Sequence, residues 1–225
     1  MCGRFTLSTP GEILAEAFGL EEPPELAPRY NIAPTQPVVV FRRQRPGEPR
    51  RAASLRWGLL PSKVREPGRP LINARSEGAA RLPSFREAFH HRRCLIPADG
   101  FYEWKVVPFQ SKRQPMHLCR RDGRPFAFAG LWEPPSPEPG AAGSCTILTT
   151  EPNALIRPIH DRMPVILSPA DFEAWLDPAH PDPEALEELL RPFPAEELKA
   201  YHVGPAVNDA RYDGPDCRAP LFAAQ

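Results

Sequence analysis

The chain has 225 residues with equal numbers of basic and acidic side chains, 28 of each, so its formal net charge is zero. Its 32 prolines exclude long uninterrupted helices and coiled coils, and no apolar run approaches the roughly 18 residues of a membrane-spanning helix. Five cysteines without a CxxC pair leave an odd count, which argues against a disulfide scaffold or a zinc ribbon and indicates a reducing, cytoplasmic setting.

The charges are distributed unevenly along the chain. Residues 41–120 carry 18 basic against 6 acidic side chains, whereas residues 151–200 carry 4 basic against 11 acidic. This pattern is typical of an anion-binding face on a neutral protein, and equally of a bipolar surface whose two halves pair with each other.

The first predicted element is a helix over residues 10–18. Thr9 is a candidate cap, Pro10 suits the first helical position, and Glu12 completes a capping box. Gly19 is a favourable residue for ending this helix.

Short β-branched or apolar runs predict strands further along the chain. Such runs cover residues 36–42, 53–60 and 145–149. Residues 84–89 predict a short helix that begins with Ser84 as its cap.

Two Asp-Gly pairs, Asp99-Gly100 and Asp122-Gly123, each separate two short apolar runs and predict β-hairpins or bulges. The predicted strands of these two pairs cover residues 94–97 and 101–104, and residues 116–119 and 125–132.

The later part of the chain contains a proline-rich loop and two further helices. Residues 134–143 hold four prolines, and because a strand follows at once, we predict a long loop within one domain. Ser168 and Asp182 each precede a proline and predict short helices over residues 169–176 and 183–190. Strands first and helices later favour an α+β fold with a mainly antiparallel sheet.

Cys2 has the most distinctive chemistry of any residue in the chain. Its small side chain permits removal of Met1, which would leave an amine and a thiol two carbons apart at the chain start. An α-amine has a pKa of about 8, so part of it is neutral near pH 7 and attacks an aldehyde to form a Schiff base. The adjacent thiol then closes a thiazolidine ring. A small residue at position 2 is also commonplace and need have no such role.

Glu103 is the candidate acid–base group. It lies between Tyr102 and Trp104 on a predicted strand, and an apolar setting raises the pKa of a glutamate toward neutrality. The alternative is ordinary strand alternation in which Glu103 pairs with an arginine.

Two polar clusters complete the candidate site. His160, Asp161 and Arg162 lie between prolines, which hold a loop rigidly, and histidine titrates in a useful range. A surface histidine beside a salt bridge would give the same pattern. Asn73 and Arg75 end an apolar strand, where asparagine is often only a turn former.

These patterns combine in a fixed order along nearly the whole chain. The segments are MCGRF (1–5), RYNIAP (29–34), RWGLLP (56–61), NARSE (73–77), RCLIPADGFYEWK (93–105), FAGLW (128–132), TTEPN (149–153), HDRMP (160–164) and the tail 207–215. Together they resemble the SOS response-associated peptidase (SRAP) family. The resemblance implies one compact α+β domain over residues 1–225, with a mainly antiparallel, barrel-like β core and peripheral short helices.

The resemblance also implies a function. It implies a sensor of abasic sites in single-stranded DNA that couples Cys2 to the ring-opened sugar as a thiazolidine and protects the lesion during the DNA damage response. Glu103 would be the general acid–base group, His160 would assist Schiff-base chemistry and reversal of the crosslink, and Asn73 would orient the amine or sugar. The implied DNA-contacting residues are Arg4, Trp57, Arg75, Trp104, Thr149 and Arg162.

The same resemblance implies a cytoplasmic monomer that associates with the nucleoid when bound to DNA, without a membrane, a metal or another cofactor. The family is also assigned a peptidase role, which would act here on Met1. Three alternatives stay open: an N-terminal-nucleophile amidotransferase, a DNA-binding module in which Cys2 is incidental, and a cysteine peptidase built from Cys2 and His160.

Overall fold

The framework of the protein is a closed five-stranded β-barrel packed beside a second sheet of five antiparallel strands. The computed structural model describes residues 2–61, 69–109, 111–135, 142–179 and 182–221. The strands are β1 Phe5–Leu7, β2 Arg29–Ile32, β3 Pro37–Arg42, β4 Arg51–Trp57, β5 Asn73–Arg75, β6 Arg93–Ala98, β7 Gly100–Lys105, β8 Gln114–Arg120, β9 Phe126–Glu133, β10 Ser144–Thr150, β11 Met163–Pro164, β12 Ile166–Leu167 and β13 Leu198–His202. The α-helices are α1 Gly11–Phe18, α2 Ser76–Ala79, α3 Arg86–His91, α4 Phe172–Leu176 and α5 Pro183–Glu188, with 3-10 turns at Pro169–Asp171, Ala195–Glu197, Pro205–Asn208 and Pro215–Arg218.

The barrel closes through β9, which pairs with both β6 and β10. The remaining path runs from β10 through β4 and β3 to β6, and only the β10–β4 pair within this ring is parallel. Strands β5 and β11 add to β10, and β12 adds to β9. The second sheet has the order β13-β8-β7-β1-β2 with every pair antiparallel. This architecture confirms the predicted α+β fold with a mainly antiparallel, barrel-like core.

Aromatic side chains join the two sheets into one core. Phe5 of β1 lies edge-on to Trp57 of β4 at 5.2 Å between ring centroids and to Phe128 of β9 at 5.7 Å. Phe128 also contacts Phe101 of β7 at 6.0 Å. Each such pair contributes about 0.5–1.5 kcal/mol beyond its buried area, so these contacts fix β1 and β7 against the barrel.

The short helices cover the outside of the barrel. Phe18 of α1 packs on Phe41 of β3 at 5.1 Å and on Phe172 of α4 at 5.5 Å. Helix α1 ends as predicted at Gly19, whose φ of 63° is readily adopted by glycine. Within the described ranges, no helix is long and apolar enough to cross a membrane.

Both predicted hairpins are wrong, because at each Asp-Gly turn the chain leaves one sheet and enters the other. The first turn passes from β6 in the barrel to β7 in the second sheet, and the second passes from β8 back to β9. At the first turn, the Asp99 carboxylate accepts four hydrogen bonds of 2.5 to 3.1 Å from backbone and hydroxyl groups of Ser8 and Thr9. These bonds hold the crossing against the end of β1.

The Asp99 contacts also correct the predicted helix cap. Because the Thr9 hydroxyl donates to Asp99, it does not cap α1, and Pro10 stands before the first helical residue instead of within the helix. The Ser84 cap is likewise wrong, since α3 begins at Arg86 without a side-chain cap.

The remaining element predictions are close to the structure. Strands β3 and β10 match the predicted ranges, while β4 ends at Trp57 because Gly58 turns the chain with a φ of 129°. Ser168 and Asp182 each accept a hydrogen bond from the backbone N–H two residues later, as predicted for helix caps. Of the proline-rich loop 134–143, residues 136–141 lie outside the described residues. The strands on either side of it, β9 and β10, pair directly.

Candidate active site

The start of the chain runs antiparallel beside β7, which places Cys2 near the end of that strand. The Tyr102 N–H donates to the Arg4 carbonyl at 3.0 Å. Further along the chain, Phe5 and Thr6 of β1 pair antiparallel with Phe101 and Gly100 of β7. Extending this antiparallel register toward the chain start brings Cys2 level with the Glu103 end of β7. The two residues predicted to react therefore lie near each other, and their side chains interact electrostatically.

Asn73 anchors Cys2 from the barrel side. The Asn73 Nδ2 donates a hydrogen bond of 2.9 Å to the Cys2 carbonyl. Asn73 is the first residue of β5, which pairs in parallel with Ile147 and its neighbours on β10. The Asn73 Oδ1 is buried and has no hydrogen-bond partner among the described residues. The predicted orienting residue therefore holds the backbone of the predicted nucleophile, with its second polar atom still available.

Burial is the largest influence on the pKa values of the two side chains that are predicted to react. Cys2 is fully buried and Glu103 is 2% exposed. Burial raises the pKa of Glu103, and the nearby charge of His160 opposes that rise. Burial also raises the pKa of the Cys2 thiol, and the Glu103 carboxylate raises it further. The electrostatic interactions therefore connect Cys2 to Glu103 and Glu103 to His160.

The segment that carries His160 is tied to the end of β10. The His160 Nδ1 accepts a hydrogen bond from the Arg162 N–H at 3.0 Å and lies 2.8 Å from the Asp161 carboxylate. A neutral ring accepts from Arg162, and a protonated ring donates to Asp161. The Arg162 guanidinium forms two hydrogen bonds to Glu77, of 2.6 and 2.9 Å, and one to the Thr149 carbonyl. These contacts hold the segment that carries the imidazole against the end of β10.

Four of the predicted DNA-contacting residues have accessible surface. Arg75 is exposed at the end of β5, and Arg4, Trp104 and Arg162 are half-buried. The Arg4 guanidinium lies 5.9 Å from the centre of the Trp104 ring, and the Trp104 Nε1 donates to Asn208 at 2.7 Å. Arg4 and Trp104 form a rim, here called the Arg4–Trp104 rim, next to Cys2 and Glu103.

Trp57 and Thr149, the other two predicted DNA-contacting residues, are both fully buried. The Trp57 Nε1 donates to the Ile72 carbonyl at 2.9 Å, and the Thr149 hydroxyl donates to the Ala74 carbonyl at 3.4 Å. Neither side chain is open to a DNA strand here. Both instead bind the backbone around Asn73 to the barrel.

Two residues of the site were missed as functional residues by the sequence reasoning. Glu77 holds Arg162, and Asn208 holds Trp104. Both lie inside segments that carry the family resemblance, so their positions were visible, but nothing local to the sequence shows which distant side chain each one contacts.

The fold and this grouping of side chains define a barrel protein with a candidate nucleophile at the start of its chain. The sequence model described as SOS response associated peptidase (SRAP) matches residues 1–210. The chain therefore belongs to the SRAP family.

Curated relatives and solved structures agree with this assignment. The chain is 41% identical over 222 residues to the abasic site processing protein YoqW of Bacillus subtilis, covering 96% of this chain and 98% of YoqW. It is 32% identical over 228 residues to the abasic site processing protein YedK of Escherichia coli, covering 98% and 100%. A crystal structure of a protein from Bacteroides thetaiotaomicron superimposes with a TM-score of 0.83 over 98% of this chain and 100% of that one, at 23% identity, which supports the fold.

Proposed function

We propose that this protein processes abasic sites in single-stranded DNA by linking Cys2 covalently to the ring-opened sugar after Met1 has been removed. The observation that carries the proposal is the Asn73 hydrogen bond to the Cys2 carbonyl beside the buried Glu103. This geometry holds an amine and a thiol next to an acid–base group. The similarity to the abasic site processing proteins YoqW and YedK supports the same substrate.

The reaction begins at the aldehyde of the open-chain sugar. The Cys2 α-amine attacks the carbonyl carbon, and the resulting carbinolamine loses water to give a Schiff base. Glu103, with its raised pKa, donates the proton that lets this water leave and accepts a proton in the reverse direction. The Cys2 Sγ then bonds to the same carbon, and its proton passes to the nitrogen, which closes the thiazolidine. One water is released, and no atom changes its oxidation state overall.

The environment of Cys2 favours this order of steps. Because burial and Glu103 raise the pKa of the thiol, the resting group is a neutral thiol. A peptidase nucleophile requires the opposite, a thiolate stabilised by a lowered pKa. The amine therefore attacks first, and the thiol adds to the Schiff base held next to it. The same reasoning disfavours a cysteine peptidase built from Cys2 and His160.

DNA recognition in this proposal depends on phosphates and stacking. An abasic site has no base edge to read, so binding that does not depend on sequence is sufficient. The exposed Arg75 and the Arg4–Trp104 rim are placed to contact the strand on either side of the lesion. Arg162 is already held by the Glu77 carboxylate, so a phosphate would have to share or displace that contact. We propose that the protein acts as a monomer and without a cofactor.

The test is a reaction with a single-stranded oligonucleotide that contains one abasic site, analysed by denaturing gel and intact mass. The expected adduct has the mass of the protein without Met1 plus the DNA minus one water. Cys2→Ala should form no stable adduct, and Cys2→Ser should give only a Schiff base that borohydride traps. Cys119→Ala, at a cysteine that is not part of the site, is the matched control and should react normally.

Two results would contradict the proposal. A stable Cys2→Ala adduct at wild-type yield would rule out the Cys2 thiol as a participant in the adduct. An adduct that retains Met1 would exclude attack by the Cys2 amine. The same spectra report Met1 removal in a Glu103→Gln variant. Retention of Met1 in that variant alone would assign its removal to the site itself.

A further inference from the structure

The connection between β7 and β8 carries a surface with no role in the reaction described above. Its described residues, 105–109 and 111–113, are here called the β7–β8 tip. They include three basic side chains, Lys105, Lys112 and Arg113, and no acidic one. Phe109 in this tip has an exposed fraction of 110%, the largest among the exposed apolar residues of the described chain.

The β7–β8 tip adjoins the candidate active site. Strand β7 carries Glu103 and ends at Lys105, where the tip begins. Because the chain start runs antiparallel to β7, Cys2 lies at this same end of the strand. Trp104, the last residue before the tip, is linked to Arg4 by a cation–π contact at 5.9 Å. The Arg4–Trp104 rim and the tip therefore form one continuous edge beside Cys2.

Phe109 has an unfavourable environment and an unfavourable backbone conformation, and packing explains neither of them. Its ring is open to water, and its φ of 64° lies in the left-handed region, which a bulky side chain rarely adopts. Glycine or asparagine would suit this backbone better. Non-glycine residues held in such conformations cluster at sites that bind ligands. The strained backbone displays an aromatic ring that the fold itself does not need.

We infer that the β7–β8 tip binds the DNA strand next to the lesion, with Phe109 stacking on a flanking base and the three cations contacting phosphates. A single exposed ring among cations is the arrangement that binds single strands, since every base offers a face for stacking. A protein partner would need a broad apolar area, whereas the exposed apolar side chains of this tip are confined to Val106, Pro108 and Phe109 and lie among three cations. The inference rests on the proposed function only for the position of the lesion.

The first test measures noncovalent affinity in a Cys2→Ala background, by fluorescence anisotropy with undamaged single-stranded DNA. Removing one stacking ring should weaken binding by about 5- to 100-fold, so we expect this loss for Phe109→Ala. Phe109→Trp should retain the affinity. Ile13→Ala, which removes an exposed apolar side chain from α1, is the matched control and should bind like the parent. Phe109→Gly should weaken binding equally while raising the unfolding temperature, because it relieves the backbone.

The second test identifies the stacked base. A series of oligonucleotides, each lacking one base at a different position, should show one flanking position at which the parent loses affinity and Phe109→Ala does not. Lys112→Ala should reduce the slope of log affinity against log salt by about 0.7. DNA affinity of Phe109→Ala equal to that of Ile13→Ala would overturn the inference. If that variant also lost a self-association seen by sedimentation, the tip would be assigned to a second copy of this chain.

The two proposals fail separately. With Cys2 restored, a wild-type adduct together with unchanged affinity of Phe109→Ala would refute only the role of the tip. Affinity that depends on Phe109 without any adduct would refute only the covalent reaction.

Discussion

Replacement of Glu103 by glutamine should lower the rate of adduct formation and stabilise the fold at the same time. The side chain is 2% exposed, so water cannot readily substitute for the proton transfer proposed for it. Positioned acid–base groups contribute about 10²- to 10⁴-fold to a rate, and we expect about a 10³-fold loss for Glu103→Gln. The assay is a single-turnover gel at saturating abasic DNA, where binding no longer limits the rate.

The pH dependence of unfolding gives the sign of the effect on stability. Burial raises the folded-state pKa of Glu103, so this group contributes stability that is fully present below its unfolded pKa and is lost as pH rises through the folded pKa. Within that window, the unfolding free energy of the wild type falls by about 1.4 kcal/mol per pH unit relative to Glu103→Gln. The two proteins should therefore unfold alike in acid, and the variant should be the more stable at neutral pH.

Urea denaturation across pH measures this difference directly, and the rate profile provides an independent check. The wild-type adduct rate should bend at a pH above the ordinary range of a glutamate, and this bend should disappear in Glu103→Gln. A variant that is less stable than the wild type at neutral pH would refute the reasoning, because it would show that the ionised carboxylate stabilises the fold. A rate within about threefold of the wild type would remove the acid–base role, since such groups contribute at least about 10²-fold.

The remaining predictions concern groups around this pair. Asn73→Asp replaces the donor to the Cys2 carbonyl with an acceptor. Loss of a hydrogen bond worth about 1 kcal/mol, together with the new repulsion, should slow adduct formation at least about tenfold at unchanged DNA affinity. A normal single-turnover rate would contradict the anchoring role of Asn73. Glu77→Gln frees Arg162 for phosphate, so anisotropy at low salt should show binding tighter by about 2- to 5-fold, the range of one partly exposed ion pair; weaker binding would mean that Glu77 positions Arg162 for DNA. Gly100→Ala would put a Cβ 2.5 Å from the His117 ring, and urea unfolding should show a loss of about 1–3 kcal/mol; unchanged stability would show that this crossing point can adapt.

Local sequence predicted where strands lie better than it predicted which strands pair. The β-branched runs that became β3 and β10 carry their own signal, since such residues pack well on a pleated surface. An Asp-Gly turn, in contrast, is compatible with a hairpin and with a crossing between sheets. At Asp99 the choice is made by hydrogen bonds to Ser8 and Thr9, about ninety residues earlier in the chain. No window of the sequence around the turn contains that information.

The uneven charge shows the same dependence on distant contacts. Two arginines of the basic segment, Arg43 and Arg50, form ion pairs with Glu173 of the acidic segment. Part of the asymmetry is therefore internal pairing between the halves, which was one of the two sequence interpretations. The β7–β8 tip fits the other interpretation, an anion-binding face, because its described residues include three cations and no acidic residue.

Strand β10 brings together the parts of the site that are far apart in sequence. It pairs with β5 on one side, where Thr149 lies opposite Arg75, and with β11 on the other, where Thr149 lies opposite Pro164. The Asn73 and His160 segments are thus held against one strand, and the Glu77–Arg162 pair connects them.

This arrangement makes precision at the site depend on the barrel. A misplacement of about 1 Å can cost about 10²-fold in rate without any change to the reacting groups. Substitutions that loosen β10 should therefore lower stability and adduct rate together. Glu103→Gln should separate the two quantities, because it removes a buried carboxylate whose ionisation works against the fold and whose proton transfer the proposed reaction requires.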